Sequence, residues 1–531
     1  MKPLTTSVYT FADLIDGGYL YVDKTSRIHE LIRGYKGQYF LARPRRFGKS
    51  LLVSTLKAIF QGKRELFDGL AIAKTDYNWK SYPVIHLDMG SCQAGSADEL
   101  RRMLTYLLDD QAAANGVSLT RQGEGPRFRE LIDAIAAHDG KVVILVDEYD
   151  KPLLGQLGQP GVREIQTVLK AFYGVIKTTE AAQRFVLITG VSKFSKVSIF
   201  SDLNNLTDLT MNRSAATLLG YTQGELEANF PEHIAALAVA LSKSREETLA
   251  DLRAWYNGYR FHLEAETVYN PVSVMKCFYE CEFKNYWFET GTPTFLVDLL
   301  RRAPVKLDDL TAAESDFSTY DPVELAPLPL LVQTGYLTIK SAETTGRSRV
   351  FRLGYPNYEI EESFSRWLAQ GFSRLPGEEL TGALQRMVAA LNEGRVDEML
   401  ETLKLFFEKI PCDIAIANEK YYQTIFFTVF TLIGARIEAE ARTNIGRIDA
   451  VVKTKTDIFL FEFKLRGSAQ QALRQIFEKR YFEPFLADGR RVTVIGAAFS
   501  RKTRNLGRWV TETVVKARVH ETPLVCEDGV T

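Results

Sequence analysis

YFLARPRRFGKSLLVSTLKAIF, residues 39–60, is the stretch on which the reading of this chain turns. Tyr39–Ala42 is a short apolar run of strand length, and Ser50–Phe60 places its apolar residues at helical spacing. Between them, RPRRFGKS (43–50) supplies Gly48, Lys49 and Ser50. A strand, a tight turn and a helix N-terminus in that order aim backbone N–H groups at one point, where they can hold phosphate oxygens. The lysine then reaches the β- and γ-phosphates of a nucleotide such as ATP, and the serine hydroxyl helps to hold Mg²⁺. Arg46 and Phe47 lie inside the same cradle. Arg43 stands where a glycine usually opens such a loop, which removes backbone freedom where phosphate must come close. Arg43, Arg45 and Arg46 also add three cations, available to phosphate, to DNA or to acidic side chains.

Working outward, VVILVDEYD (142–150) is an apolar strand that ends in adjacent carboxylates. Asp147 in that position holds Mg²⁺ through its water shell, and Glu148 orients or deprotonates an attacking water, which favours hydrolysis over storage of the nucleotide. A solvated carboxylate pair at a strand end is the plainer alternative. Val84–Met89 and Phe185–Thr189 are further strand candidates, with Leu203–Leu209 a weaker fifth. Helical patterns at Glu99–Asn115 and Arg127–His138 lie between them, so residues 1–210 are expected to form a mostly parallel sheet with helices on both faces. The strand at 84–89 is expected to separate the two motif strands. Past Phe185–Thr189, Thr189 or Ser192 is placed to sense the γ-phosphate, although a cap or turn explains either equally well. In YVDKT (21–25), Asp23 and Lys24 are candidates to line the same pocket, and Thr25 or Ser26 is more simply a helix cap.

From 211 to 375 the pattern turns helical, with aromatic-rich WYNGYRF (255–261) and short strands at Tyr336–Ser341 and Arg349–Leu353. A helical lid followed by a winged-helix-like unit is expected there, with an all-helical connector as the alternative. After Pro376 and Gly377, residues 376–531 read as helices at 378–392, 395–408 and 418–432. Strands at Arg436–Arg442, Arg447–Val452 and Ile458–Leu465 follow, then a helix at 468–487, a strand at Arg491–Phe499 and a final helix near Thr503.

This C-terminal part carries a second constellation, IGRIDAVV…IFLFEFKL. Side chains alternate along a strand, so Glu462 and Lys464 share one face and Phe461 and Phe463 the other. Asp449 lies on the preceding strand, and an antiparallel pairing brings the three groups together. Two neighbouring carboxylates repel unless a proton or cation intervenes, and a hard divalent ion, Mg²⁺ or Mn²⁺, resolves the conflict. Such an ion acidifies water and polarises a phosphate, while the lysine stabilises developing charge. The competing reading is an exposed edge strand that alternates charge for solubility. Glu419 on the preceding helix is a further candidate metal ligand, and Gln475 and Tyr481 on the following helix are candidate companions of the site. Residues 464–518 hold 13 Lys/Arg against 4 Asp/Glu, an excess of 13 − 4 = 9 positive charges that suits a phosphate backbone.

The whole chain names no partner by charge, with 66 basic and 66 acidic residues among 531. That length exceeds one hydrophobic core and implies about two to four domains. The five cysteines are sparse and lack zinc-ligand spacing. With no secretory pattern at the start and no apolar run of roughly 18 residues, a reducing cytoplasm is expected and a membrane is not.

The chain resembles a bacterial family of predicted AAA-ATPase-like proteins fused to a nuclease domain of the PD-(D/E)xK superfamily. The resemblance runs through YVDKT, RPRRFGKS, VDEYDKPL (146–153), TGVSKFSKVSIFSDLNNL (189–206), WYNGYRF, GRIDAVV (446–452), FEFK (461–464) and ALRQIFEKRY (472–481), nearly the whole chain. It implies that the loop without its first glycine is the family's own form. It also implies an αβββαβ restriction-endonuclease-like core in which Asp449 is the metal-binding aspartate, Glu462 and Lys464 the (D/E)xK pair, and Glu419 the helix glutamate. The leading expectation is an ATPase that gates a Mg²⁺-dependent nuclease acting on DNA. The alternative is a nucleotide-dependent switch or scaffold whose C-terminal domain binds nucleic acid or protein without cutting. Assembly into a homo-oligomer is open, with Arg213 and Arg260 as candidates for an arginine supplied to a neighbour.

Overall fold

The computed structural model describes residues 1–157, 159–193, 205–287, 296, 299–300, 310–317, 326–346, 348–373, 375–408, 419–432, 436–443, 446–464, 467–500 and 505–514. Packing divides the chain into two units, Met1–Phe295 with Thr311–Glu361 and Leu296–Leu310 with Glu362–Thr531.

The first unit is built on β1 (Gly37–Ala42), β2 (Val84–Asp88), β3 (Val142–Asp147), β4 (Gln183–Gly190) and β5 (Thr207–Asp208). They form one sheet in the order β2-β3-β4-β1-β5, and every pairing is parallel. β3 and β4 are buried along their whole length, as strands covered on both faces must be. Alternation then sends Val142, Ile144 and Val146 into a core with helices Ala97–Ala114, Glu124–Asp139 and Val162–Thr178. Val143 and Leu145 go into the opposite core with helices Thr25–Ile32 and Lys49–Phe60. The strand between the two motif strands is β4, not β2 as expected from chain order. β2 lies outside β3 at the sheet edge.

Helices Gln223–Asn229, Pro231–Ala240, Arg245–Tyr256 and Pro271–Glu280 follow, around a core that includes Phe230, Leu237, Tyr256 and Cys277. Capping boxes at Thr222/Glu225 and Ser244/Glu247 start two of them. Helix Pro327–Thr334 leads into the wing-like hairpin of β7 (Thr338–Thr345) and β8 (Ser348–Gly354), which β6 (Thr311–Ala313) extends on the β8 side. Cys277 is a buried core residue.

In the second unit, helices Gly377–Asn392, Val396–Glu408 and Glu419–Leu432 precede β9 (Arg436–Thr443), β10 (Gly446–Lys453) and β11 (Asp457–Lys464). Helix Ala469–Glu478 then crosses over to β12 (Arg491–Ser500), which pairs parallel to β11. This is the αβββαβ order expected. The crossover helix is shorter than the predicted 468–487, ending at Glu478 shortly before Arg480 turns to φ +48°. The final helix expected near Thr503 is instead β13 (Asn505–Val514), antiparallel to β12, which completes the order β13-β12-β11-β10-β9. Its residues include Trp509, Val510, Thr511, Thr513 and Val514, types that favour a strand once a neighbouring edge is available. Among the described residues no helix is long and apolar enough to cross a membrane.

Candidate nucleotide and metal sites

The RPRRFGKS loop closes against its own unit. Gly48 adopts φ +90°, where a side chain would be strained, and caps helix Lys49–Phe60. Arg46 also has positive φ, +64°. Arg43 is buried and its guanidinium is spent on the protein's own backbone, donating to the carbonyls of Ala42 at 2.9 Å, Thr210 at 2.8 Å and Ala215 at 2.8 Å. It lies 4.0 Å above the Phe261 ring, and burial pushes its pKa down to about 9. The side chain that replaces the first glycine therefore ties the loop to the segment after β5. Lys49 donates to the carbonyls of Arg43 and Pro44, both at 3.1 Å. Burial lowers its pKa, and Asp147, Glu148 and Asp150 oppose that shift. Phe47 packs edge-on against Tyr259, with ring centroids 4.8 Å apart.

At the end of β3, Asp147 accepts from the Thr189 hydroxyl at 2.5 Å and from Glu148 N at 3.0 Å. β4 delivers Thr189 because it is the strand beside β3. Ser192 is committed elsewhere: its hydroxyl donates to buried Asp150 at 2.7 Å, and its N–H to the same carboxylate at 2.8 Å. Of the two sensor candidates the geometry therefore puts Thr189, not Ser192, on the motif carboxylate. Ser50, Asp147 and Glu148 share a cleft of about 460 Å³ with His86 and Asp88. Burial holds the His86 pKa below its ordinary value. Asp88 is paired in register with Asp147. The sequence reading missed Asp88, although VIHLD offered the signal of a strand ending in a carboxylate. The oxygen donors of Ser50 and Asp147 suit a hard cation such as Mg²⁺. Asp23 and Lys24 do not line this cleft. Asp23 accepts from Thr25 N at 2.8 Å and Ala71 N at 2.7 Å, while Lys24 pairs with Glu225 at 2.6 Å. Arg213 pairs with Glu264 at 2.9 Å, and Arg260 donates to the Lys340 carbonyl at 3.1 Å.

In the second unit the strand alternation holds. Phe461 and Phe463 pack on Phe426 of helix Glu419–Leu432, with centroids 5.0 and 4.8 Å apart. Glu462 and Lys464 meet at 3.0 Å. Ala450 pairs with Phe461, so the next step of the antiparallel register sets Asp449 against Glu462. The Asp449 carboxylate accepts from Phe463 N at 2.7 Å, between the two charged residues. Gln475 arrives from the crossover helix, accepting from Lys464 at 2.6 Å and donating to Glu462 at 2.5 Å. That approach depends on Gly496 of β12, which pairs with Glu462. A Cβ there would lie 2.3 Å from the Ala469 carbonyl and 2.4 Å from Leu473 N. The carboxylates of Asp449 and Glu462 form an all-oxygen donor set that suits Mg²⁺ or Mn²⁺. Among the described residues no group of three or more His, Cys, Asp or Glu gathers for a metal. Helix Glu419–Leu432 starts at Glu419, whose side chain lies outside the described residues. Tyr481 is buried in the core with Ile476 and Leu460, which makes it a packing residue. Part of the basic stretch is already neutralised, since Arg480, Arg490 and Arg491 pair with Glu483, Asp488 and Asp457.

Comparison with known proteins matches residues 5–200 to the family described as predicted AAA-ATPase, and residues 417–509 to the PD-(D/E)XK nuclease superfamily. Over 529 residues the chain is 38% identical to an uncharacterized protein in the vnfD 5' region of Azotobacter chroococcum mcd 1, covering 97% of this chain and 99% of that one. Two solved structures from Aeropyrum pernix are similar at low identity. The ORC1 protein in complex with DNA matches at 13% identity and TM-score 0.25, over 64% of this chain and 91% of that one. The ORC2 protein in its ADPNP–ADP complexes matches at 11% and TM-score 0.26, over 68% and 92%. With one family's model on the parallel-sheet unit, the other's on the mixed sheet, and a relative alike from end to end, this chain belongs to the predicted AAA-ATPases that carry a C-terminal PD-(D/E)XK nuclease-superfamily domain.

Proposed function

We propose that the first unit binds and hydrolyses ATP and that the second cleaves phosphodiester bonds in DNA with the help of Mg²⁺ or Mn²⁺. The observation that carries this reading is the meeting of Asp449, Glu462, Lys464 and Gln475 at one place on the second sheet. Asp449 and Glu462 would hold the cation, which when bound supplies an acidified water and a polarised phosphate. Lys464 places a positive charge beside the carboxylates, where negative charge develops as the bond breaks. Gln475 orients both Lys464 and Glu462 through its amide. In the first unit, Gly48 and the start of helix Lys49–Phe60 offer backbone N–H groups to phosphate. Lys49 reorients from its two loop carbonyls to the phosphates, and Ser50 and Asp147 would hold Mg²⁺. Glu148 stands in the cleft as the base that takes a proton from water. The excess of basic residues over 464–518 supports nucleic acid as the substrate.

The test is full-length protein incubated with plasmid and oligonucleotide substrates, with and without ATP and Mg²⁺. Cleavage should need the divalent ion and vanish in Glu462→Ala and Lys464→Ala, while ATP turnover persists in both and vanishes in Lys49→Ala. Cleavage that survives both nuclease substitutions overturns the site. DNA that is bound but never cut, with either metal, turns the reading into a nucleotide-dependent switch.

A further inference from the structure

Glu359 is a fully buried carboxylate that neither proposed reaction uses. It stands in the first turn of helix Tyr358–Ser373. Its Oε1 accepts from Trp287 N at 2.7 Å and from the Ser273 hydroxyl at 3.1 Å. Burying a carboxylate is costly unless hydrogen bonds compensate it, so the backbone it holds is the place to look for its use. That backbone is Tyr286–Trp287, and both residues bond onward to the phosphate-binding loop. The Trp287 indole N–H donates to the Arg45 carbonyl at 3.2 Å, and the Tyr286 carbonyl accepts from Arg46 Nη1 at 2.6 Å. Arg46 is the non-glycine loop residue at φ +64°, a conformation that persists only where surrounding contacts impose it. Two residues before Glu359, Asn357 donates to the Asn257 carbonyl at 2.8 Å, which braces the segment carrying Tyr259 against Phe47.

We propose that Glu359 is a positioning residue for the phosphate-binding loop: by fixing Tyr286 and Trp287 it keeps Arg45 and Arg46 in the conformation that receives the triphosphate. This rests on the reading of the loop as an ATP site. Burial pushes the Glu359 pKa up to about 7, and Arg46 is among the groups that pull it back. That agrees with a carboxyl facing the loop's own cation. Since the bond that matters is acceptance from Trp287 N, a glutamine can replace it and an alanine cannot.

The experiment measures ATP KM and kcat, and binding of a fluorescent ATP analogue, on full-length wild type, Glu359→Ala, Glu359→Gln, Trp287→Phe and Lys49→Ala. Glu359→Ala should raise KM about tenfold while kcat changes less than about twofold, and Glu359→Gln should return KM to within about twofold of wild type. Trp287→Phe, which removes the indole bond to Arg45 and trims the ring that packs edge-on against Tyr336, should raise KM about threefold. A folded Glu359→Ala with wild-type KM, a loss confined to kcat, or a glutamine no better than alanine overturns the proposal. Should Glu359→Ala fail to fold, an unchanged KM in Trp287→Phe overturns it instead. Undiminished analogue binding by Lys49→Ala removes the ATP-site reading itself, whatever the Glu359 variants do.

Discussion

The two candidate sites are held together in opposite ways. In the first unit, key charged groups of the loop and the β3 end are bound inward. Arg43 caps carbonyls of Thr210 and Ala215, Lys49 caps those of Arg43 and Pro44, and Asp150 is wrapped by Ser192. The loop's shape depends on residues as distant in sequence as Trp287 and Glu359. In the second unit, side chains from two neighbouring strands and one crossover helix meet directly, and Lys464 keeps 26% of its side chain exposed. A backbone cradle needs external bracing because its functional atoms are main-chain N–H groups. A side-chain cluster needs only correct register. Losing a side chain should therefore cost both stability and function in the first site, but mainly function in the second.

The largest expected effect tests the second half of that contrast. Glu462→Ala and Lys464→Ala should each slow cleavage by roughly 10³-fold or more, while the melting temperature hardly moves. A collapse in thermal stability would show that the cluster supports the fold as well. For the first half, Arg43→Gly restores the residue usual at a loop's start, so a sequence-only view expects tolerance. The buried carbonyls of Thr210 and Ala215 would lose their donor, at a cost of about 3 kcal/mol in urea denaturation. A stable Arg43→Gly protein would erase the distinction between the sites.

A pH experiment sharpens the contrast further. The folded Glu359 carboxyl titrates at about 7 against an ordinary value of 4.5. Between those values the folded chain keeps a proton that the unfolded chain has released, so stability falls as pH rises through about 7. The contribution at low pH is about 3 kcal/mol at most. The urea midpoint should thus drop more between pH 5.5 and 8 in the wild type than in Glu359→Gln, and equal slopes would count against it. The smallest effect is expected at Ser192→Ala. Asp150 keeps its backbone donors there, so about 1 kcal/mol is lost and ATP KM stays unchanged. A large rise in KM would return Ser192 to the nucleotide site.

Much of this molecule is legible in its sequence. VVILVD reads as a strand buried on both faces because nothing polar interrupts it, and FEFK reads as a strand with two different faces because its residues alternate. Gln475 was legible because its helix follows the FEFK strand directly. The misreadings share one cause, a long-range partner that local pattern does not encode. Chain order put 84–89 between the motif strands, whereas β4 arrives from farther along the chain to lie there. Residues near Thr503 look helical until the free edge of β12 recruits 505–514 as a strand. Ser192 shared the sensor position with Thr189 in the local pattern, which did not encode that Asp150 at the β3 end takes its hydroxyl.

Amino-acid order alone determined the motif chemistry, which is the glycine, lysine and serine of the loop, the Asp147–Glu148 pair, and the carboxylates and lysine near the C-terminus. Residue type and local period suffice for those. The tertiary structure decided which of these groups meet and which are spent on the scaffold. It turned Arg43 into a brace, placed Thr189 on Asp147, and let Gly496 bring Gln475 to Glu462. Those outcomes depend on strand order and close packing, which arise from contacts between residues far apart in the chain.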